Sequence, residues 1–185
     1  MLFPAELLQS GDDDDEPAHT LRWAGHGLVG GLLATVVMTL YRAPVAASLP
    51  PTAAFWARFV AGGDPEDHPR PALLLHLGYG AGGGALFGLL FRATGADERS
   101  ALPREATGVS LGTLYGAVLS VVGSRVVLRR LLAMDLDIVE AVVFHAGHLV
   151  YGLTLGTWVG TREIIRDIDF ESADDRPEGS DSPRR

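Results

Sequence analysis

The sequence has no cysteine, no lysine and no asparagine, and its one amide side chain is Gln9. Without cysteine no disulfide framework can form. Without lysine all basic charge rests on 15 arginines, against 23 acidic residues, for a net charge of −8. Scattered arginines in an acidic chain offer no nucleic-acid-binding face. The chain also lacks a phosphate-binding lysine loop, a His-Glu-x-x-His motif and a nucleophile elbow, so no catalytic constellation and no enzyme is indicated. One glycine pattern, Gly78-Tyr79-Gly80-Ala81-Gly82-Gly83, matches a dinucleotide fingerprint. It sits inside an apolar segment with no strand before it, which excludes that use. Finally, no Asp or Glu stands in the middle of any apolar segment, so the carboxylate relay of a proton-coupled antiporter is missing.

Hydrocarbon, in contrast, is plentiful and unevenly placed. The mean hydropathy of +0.19 averages charged tails and loops with four nearly uncharged stretches: Ala24–Tyr41, Ala72–Phe91, Thr107–Leu128 and Ala141–Gly160. A bilayer core of ~30 Å needs about 20 apolar residues as helix. The polar residues within the stretches are mostly Gly, Ser, Thr, His and Tyr rather than the charged stripe of a soluble bundle. The expected fold is all-α: a polytopic membrane protein with four transmembrane helices, arranged as a duplicated pair of helical hairpins, plus a short interfacial helix. Residues 1–22 are expected to form an acidic disordered tail, 23–161 the transmembrane domain, and 162–185 a charged, mostly disordered tail. Runs such as Asp12–Asp15 fit a halophilic surface, which stays hydrated when molar salt screens charge within ~3 Å.

Arg22 and Trp23 mark a membrane interface. Val45-Ala46-Ala47 has the small residues of a signal-peptidase site, but the long acidic lead and Arg42 favour an uncleaved first helix. Between the first two spans, Thr52 is placed to cap a short helix that Gly62-Gly63 would end near Ala61. Phe55, Trp56, Phe59 and Val60 share one face of it, with Arg58 pointing away. Such a helix suits a membrane surface or the end of the bundle equally. Four crossings put both tails on one side of the cell membrane. Arg22, Arg92, Arg99, Arg104, Arg162 and Arg166 lie on that side, against Arg42, Arg58, Arg70, Arg129 and Arg130 on the other. This slight excess points to cytoplasmic termini.

A repeated pattern carries most of the architectural information. His76-Leu-Gly-Tyr79-Gly80 continues through Gly84 to Gly88, and His148-Leu-Val-Tyr151-Gly152 continues through Gly156 to Gly160. Both obey H-L-x-Y-G-x-x-x-G-x-x-x-G, which implies two hairpins of the same orientation. Small residues also recur every fourth position in the first span (Gly27, Gly31, Thr35, Thr39) and in the third (Gly108, Gly112, Gly116, Ser120, Ser124). Lipid supplies no hydrophobic force between helices, so such stripes must hold them by close backbone approach. Phe87 is expected to face lipid. Dimerisation through one stripe is the competing use, and a homo-oligomer or a membrane-protein partner is the expected company besides the bilayer.

Ionisable groups inside membrane helices are costly, so their placement matters. By register, His76, Tyr79, His148 and Tyr151 lie near the face opposite the tails, together with Arg125, Arg42 and Glu140; His26 belongs to the other end. The bland account is a clasp in which His and Tyr satisfy each other and Arg125 snorkels to water. The sharper account is a site for a small polar or anionic ligand made by His76, Arg125 and His148, lined by Tyr79 and Tyr151. A third account gives a metal or haem to His76, His145 and His148; no cofactor is otherwise indicated. On Gly27–Thr39, on Phe144-His145-Ala146-Gly147-His148-Leu149-Val150-Tyr151 and on Arg162-Glu163-Ile164-Ile165-Arg166, the chain resembles uncharacterised small four-helix membrane proteins of haloarchaea. More loosely it resembles the bacterial YagU-like inner-membrane proteins. The resemblance implies membrane topology and no particular activity.

Overall fold

A computed structural model describes residues 12–45 and 49–174, with side chains over 16–45 and 49–162. The outer parts of both expected tails, and two residues of the Val45–Ala47 segment, lie outside these ranges. The helices in order are α1 (Asp12–Arg42), α2 (Thr52–Trp56, continued as π-helix over Ala57–Ala61), α3 (Pro69–Ala93), α4 (Ala101–Val122, continued as π-helix over Gly123–Leu132) and α5 (Ile138–Asp174). A single 3₁₀ turn, Pro65–Asp67, precedes α3. Four segments are long and apolar enough to cross a membrane: Glu16–Arg42, Pro69–Ala93, Ala101–Leu132 and Ile138–Arg162. Each contains one of the stretches read from the sequence.

Local chemistry explains where these helices start and stop. Pro69 opens α3 at a position that has no use for an N–H. At the head of α5, Asp137 Oδ1 accepts the Glu140 N–H at 2.8 Å and Glu140 Oε2 accepts the Asp137 N–H at 3.3 Å, a reciprocal cap. Glu140, placed by register in the polar cluster, is thus occupied with this cap. Gly62, at φ 73°, ends the α2 unit in the left-handed region, as the sequence implied.

α1 packs along α3, and α4 along α5, as two hairpins. Within each, the glycine stripes lie face to face. Gly27 lies against Gly84 and Gly88, and Gly31 against Gly80 and Gly84. In the second hairpin Gly108 meets Gly156 and Gly160, and Gly112 meets Gly152 and Gly156. A Cβ added to Gly84 would stand 2.6 Å from Gly31 Cα, and one added to Gly112 would stand 2.6 Å from Gly156 Cα. No side chain fits there, so the backbones themselves make the contact. The hairpins join mainly through α1 and α5, while α3 and α4 scarcely touch. The core along the first contact is Trp23, Ala34, Met38, Phe91, Leu155 and Val159.

Several expectations change. Residues 12–22, assigned to a disordered tail, are helical: α1 starts at Asp12. Acidic residues there suit the positive end of a helix, and Arg92 of α3 holds the segment through Glu16 (3.0 Å), His19 (3.1 Å) and the Thr20 hydroxyl. At the other end α5 continues to Asp174, past the point where the charged tail was expected to lose structure. Phe87 is not lipid-facing. It is 2% exposed and stacks with Tyr115 and Phe91. Thr52 does not cap α2 but donates to Ala72 O of α3 at 2.8 Å. Arg58 does not point away, since its guanidinium donates to Leu132 O at the end of α4 at 3.2 Å. Between these two anchors α2 lies across the end of the bundle, burying Ala53 and Ala57 and leaving Phe59 and Val60 exposed.

Candidate functional site: a chamber between the hairpins

Where the hairpins separate, at the end covered by α2, they enclose a chamber of about 210 Å³. All five helices line it. α1 supplies Thr35, Met38 and Arg42, and α3 supplies Leu75, His76, Tyr79 and Gly80. α4 contributes apolar side chains around Leu128, α5 contributes Phe144, His148 and Tyr151, and Phe55 of α2 covers the end. The walls are almost wholly apolar, with Arg42 and the two histidines as the conspicuous exceptions.

Four of the five residues proposed from sequence therefore line one space: His76, Tyr79, His148 and Tyr151. The repeat made this legible, because it set both His-Tyr pairs at one depth on helices of one direction. The roles within the set differ, however. Tyr151 is buried and donates its hydroxyl to Gly80 O at 2.7 Å, tying α5 to α3. Tyr115, missed in the sequence reading, makes the matching bond to Gly83 O at 2.8 Å. Both bonds reach carbonyls of a helix already bonded to itself, which glycine leaves uncovered. Tyr79 is 51% exposed and stands at the rim.

Arg125 is not part of the site. It lies exposed on the outside of α4, and Arg42 of α1 takes its place. The cause is the π-helix. Bonding i→i+5 from Gly123 widens each turn, so the buried face passes from Ser120 to Gly123 and then to Leu128 and Leu132. Ser124, expected in the packing stripe, turns outward and bonds locally to Val121 O. Arg42 was in view as the last residue of the first span, but only the α1–α5 contact turns it inward; its stem packs by Gly147 of α5.

The metal reading fails on geometry. No group of three His, Cys, Asp or Glu side chains capable of holding a metal exists among the described residues. His145 is exposed, and its Nδ1 is paired with the Ser120 hydroxyl rather than turned toward the chamber. His148 Nδ1 lies 2.9 Å from Phe144 O. A carbonyl can only accept, so that nitrogen carries the proton, and in the neutral ring Nε2 is left as an acceptor. Nε2 lies on the Gly123 side, 3.9 Å from where a Cβ on that glycine would be. His76 Nε2 is buried with no hydrogen-bond partner. Arg42, His76 and His148 are within electrostatic reach of one another.

The opposite end of the bundle is packed differently. Trp23, Phe91 and Ala96 fill it. Trp158 Nε1 donates to His26 O at 3.1 Å, and the Arg162 guanidinium lies 3.2 Å over the Trp158 ring. Buried Arg104 donates to Gly160 O at 3.2 Å. No curated protein and no solved structure matches the chain. A family model does match, over residues 21–169, which takes in most of the first apolar helix, the other three and the chamber: the chain belongs to the family of unknown function DUF6789.

Proposed function

We propose that this protein is a non-catalytic component of the cell membrane that holds a ligand in the chamber between its hairpins, with both termini on the cytoplasmic side. The observation that carries this reading is a largely apolar cavity with Arg42, His76 and His148 in its wall, His76 having an Nε2 that no described residue pairs. A buried polar atom without a partner costs roughly 1–3 kcal/mol, and a bound acceptor or donor would recover it. The Ser120 hydroxyl is paired with His145, but neither residue lines the chamber, which favours binding over catalysis. The arginine count on the tail side supports cytoplasmic termini. The Phe144–Tyr151 segment supports the looser likeness to haloarchaeal and YagU-like membrane proteins.

Native mass spectrometry from a mild detergent tests the binding reading. Wild type should carry an extra bound mass that Val127→Phe, which fills the chamber, removes. An extra mass retained unchanged by that variant would overturn the reading. Reporter fusions at Arg185 and within Asp64–Asp67 should report opposite sides, with Arg185 cytoplasmic; both on one side would refute four crossings. A second reading, as an oligomer or accessory subunit, is favoured by Gly78 and Gly82. They form an exposed small-residue pair on α3 with nothing within 4 Å of an added Cβ. The same spectra separate the two, since a multiple of the chain mass or a reproducible foreign chain would support assembly.

A further inference from the structure

The two hairpins are nearly superposable in their contacts, and the chamber lies where they differ. Gly27 meets Gly84 and Gly88 as Gly108 meets Gly156 and Gly160, so α1 and α4 correspond residue for residue along the seam. Carried along the chain, Thr35 corresponds to Gly116, Met38 to Leu119 and Arg42 to Gly123. The second hairpin therefore has a glycine with the Phe144 ring against it where the first has an arginine, and both residues line the chamber. A charge stands on one side of the cavity and an aromatic ring on the other.

We propose that the chamber takes a single-chain acidic amphiphile drawn from the bilayer, its carboxylate or phosphate head held by Arg42 with His76 and His148, and its chain lying toward the open seam between α3 and α4. The proposal rests on reading the chamber as a ligand site and names the class of ligand. Four observations carry it. The Arg42 guanidinium is half-buried and makes no hydrogen bond or ion pair to any described residue. Glu140 is within its electrostatic reach but is engaged in capping α5. His76 Nε2 is likewise unpartnered, and neutral His148 presents an acceptor at Nε2. A monoprotonated phosphate offers both kinds of oxygen, an anionic one for Arg42 and a hydroxyl for His148, while a carboxylate offers acceptors alone, for Arg42 and for an N–H of His76.

Beyond the head site the walls are Met38, Phe55, Leu75, Leu119 and Val127, which suit hydrocarbon and not a hydrated ion. Contact between α3 and α4 is sparse beyond the Tyr115–Gly83 bond and the Phe87–Tyr115 stack, and Tyr79 and Leu131 line the chamber while staying exposed. A chain can therefore enter sideways from lipid without crossing the α2 cover. Neutral lipid would leave the Arg42 charge unpaired beside an apolar wall, an arrangement that is expensive in a low dielectric. A free anion would leave the apolar walls with no occupant.

The test uses the full chain in neutral detergent with a fluorescent polyene fatty acid as probe and four competitors: palmitate, hexadecyl phosphate, methyl palmitate and inorganic phosphate. The two acidic amphiphiles should displace the probe, and methyl palmitate should do so about tenfold less well. Arg42→Gln should weaken both acids by about tenfold and leave the ester unchanged. Equal displacement by ester and acid in wild type, or equal loss for both in Arg42→Gln, overturns acid recognition while leaving the chamber a ligand site. Displacement by inorganic phosphate at the same concentrations overturns the amphiphile. Val127→Phe and Leu131→Trp should weaken every competitor that enters. If neither changes any of them, and both melt like wild type, the reading of the chamber as a ligand site falls as well. Should Arg42→Gln fail to fold, the acid-to-ester ratio of wild type decides alone.

Discussion

Contacts within a hairpin and contacts between hairpins are made of different material. Within each, glycines bring backbones so close that a methyl group does not fit, over three helical turns on each side. Between them, side chains do the bridging: Trp158 and Leu155 fill the space over Gly30, Met38 sits on Gly147, and Tyr151 and Tyr115 reach the carbonyls of Gly80 and Gly83. Backbone contacts cannot adjust without separating the helices, whereas side chains can change rotamer and leave gaps. This contrast locates the space a ligand could use in a bundle this small. It lies between the rigid units, at the end where large side chains do not close it.

Disrupting the rigid contact should have the largest effect. Gly84→Leu or Gly156→Leu drives a side chain into the facing backbone, and overpacking of this kind costs about 1–3 kcal/mol or more. Each variant should melt well below wild type or elute as misassembled species on size exclusion in detergent. Normal melting of both would remove the distinction between the two kinds of contact. An intermediate effect is expected where the hairpins meet. Tyr151→Phe leaves the ring and deletes one bond to Gly80 O, a loss of about 0.6–1.5 kcal/mol by thermal or denaturant unfolding. Tyr115→Phe, at a less buried site, should lose less than Tyr151→Phe; the reverse order would mean that the α3–α4 contact matters more than its sparse packing implies.

Smaller still is the tail-side clasp. Glu16→Ala removes an ion pair whose carboxylate is largely exposed, so a change under about 1 kcal/mol is expected, fading as salt is added. A salt-independent loss larger than that would give α1's first turns a share in the fold that the apolar segments alone do not provide. Leu114→Ala, on the outer face of α4 and away from both kinds of contact, should stay within about 0.5 kcal/mol of wild type. It is the reference against which the glycine variants are read, in the place that Phe87 cannot fill because Phe87 is core.

Spans, hairpin pairing and stripe glycines were legible in the chain itself. Twenty-residue hydrocarbon runs have one stable form in a bilayer, and glycine every fourth residue makes one smooth helical face whatever lies opposite. Equivalent depth for His76 and His148 followed from the repeat for the same reason: local pattern fixes position along a helix. What local pattern could not fix was rotation and partner. Arg125 lost its place because ten π-helical residues after Val122 turned the buried face of α4 away from it, and hydropathy does not register a change from i→i+4 to i→i+5 bonding. Arg42 gained that place because α1 packs on α5 while α3 and α4 stay apart, a choice made by Trp158, Leu155 and Met38 fitting over Gly30 and Gly147. Thr52 and Arg58 read as a cap and a solvent-facing charge until carbonyls from α3 and α4 came within their reach. Hydropathy and glycine spacing set which segments are helices and which of their faces can touch; packing set which polar groups share one space, because that depends on helix rotation and on side chains distant in the chain.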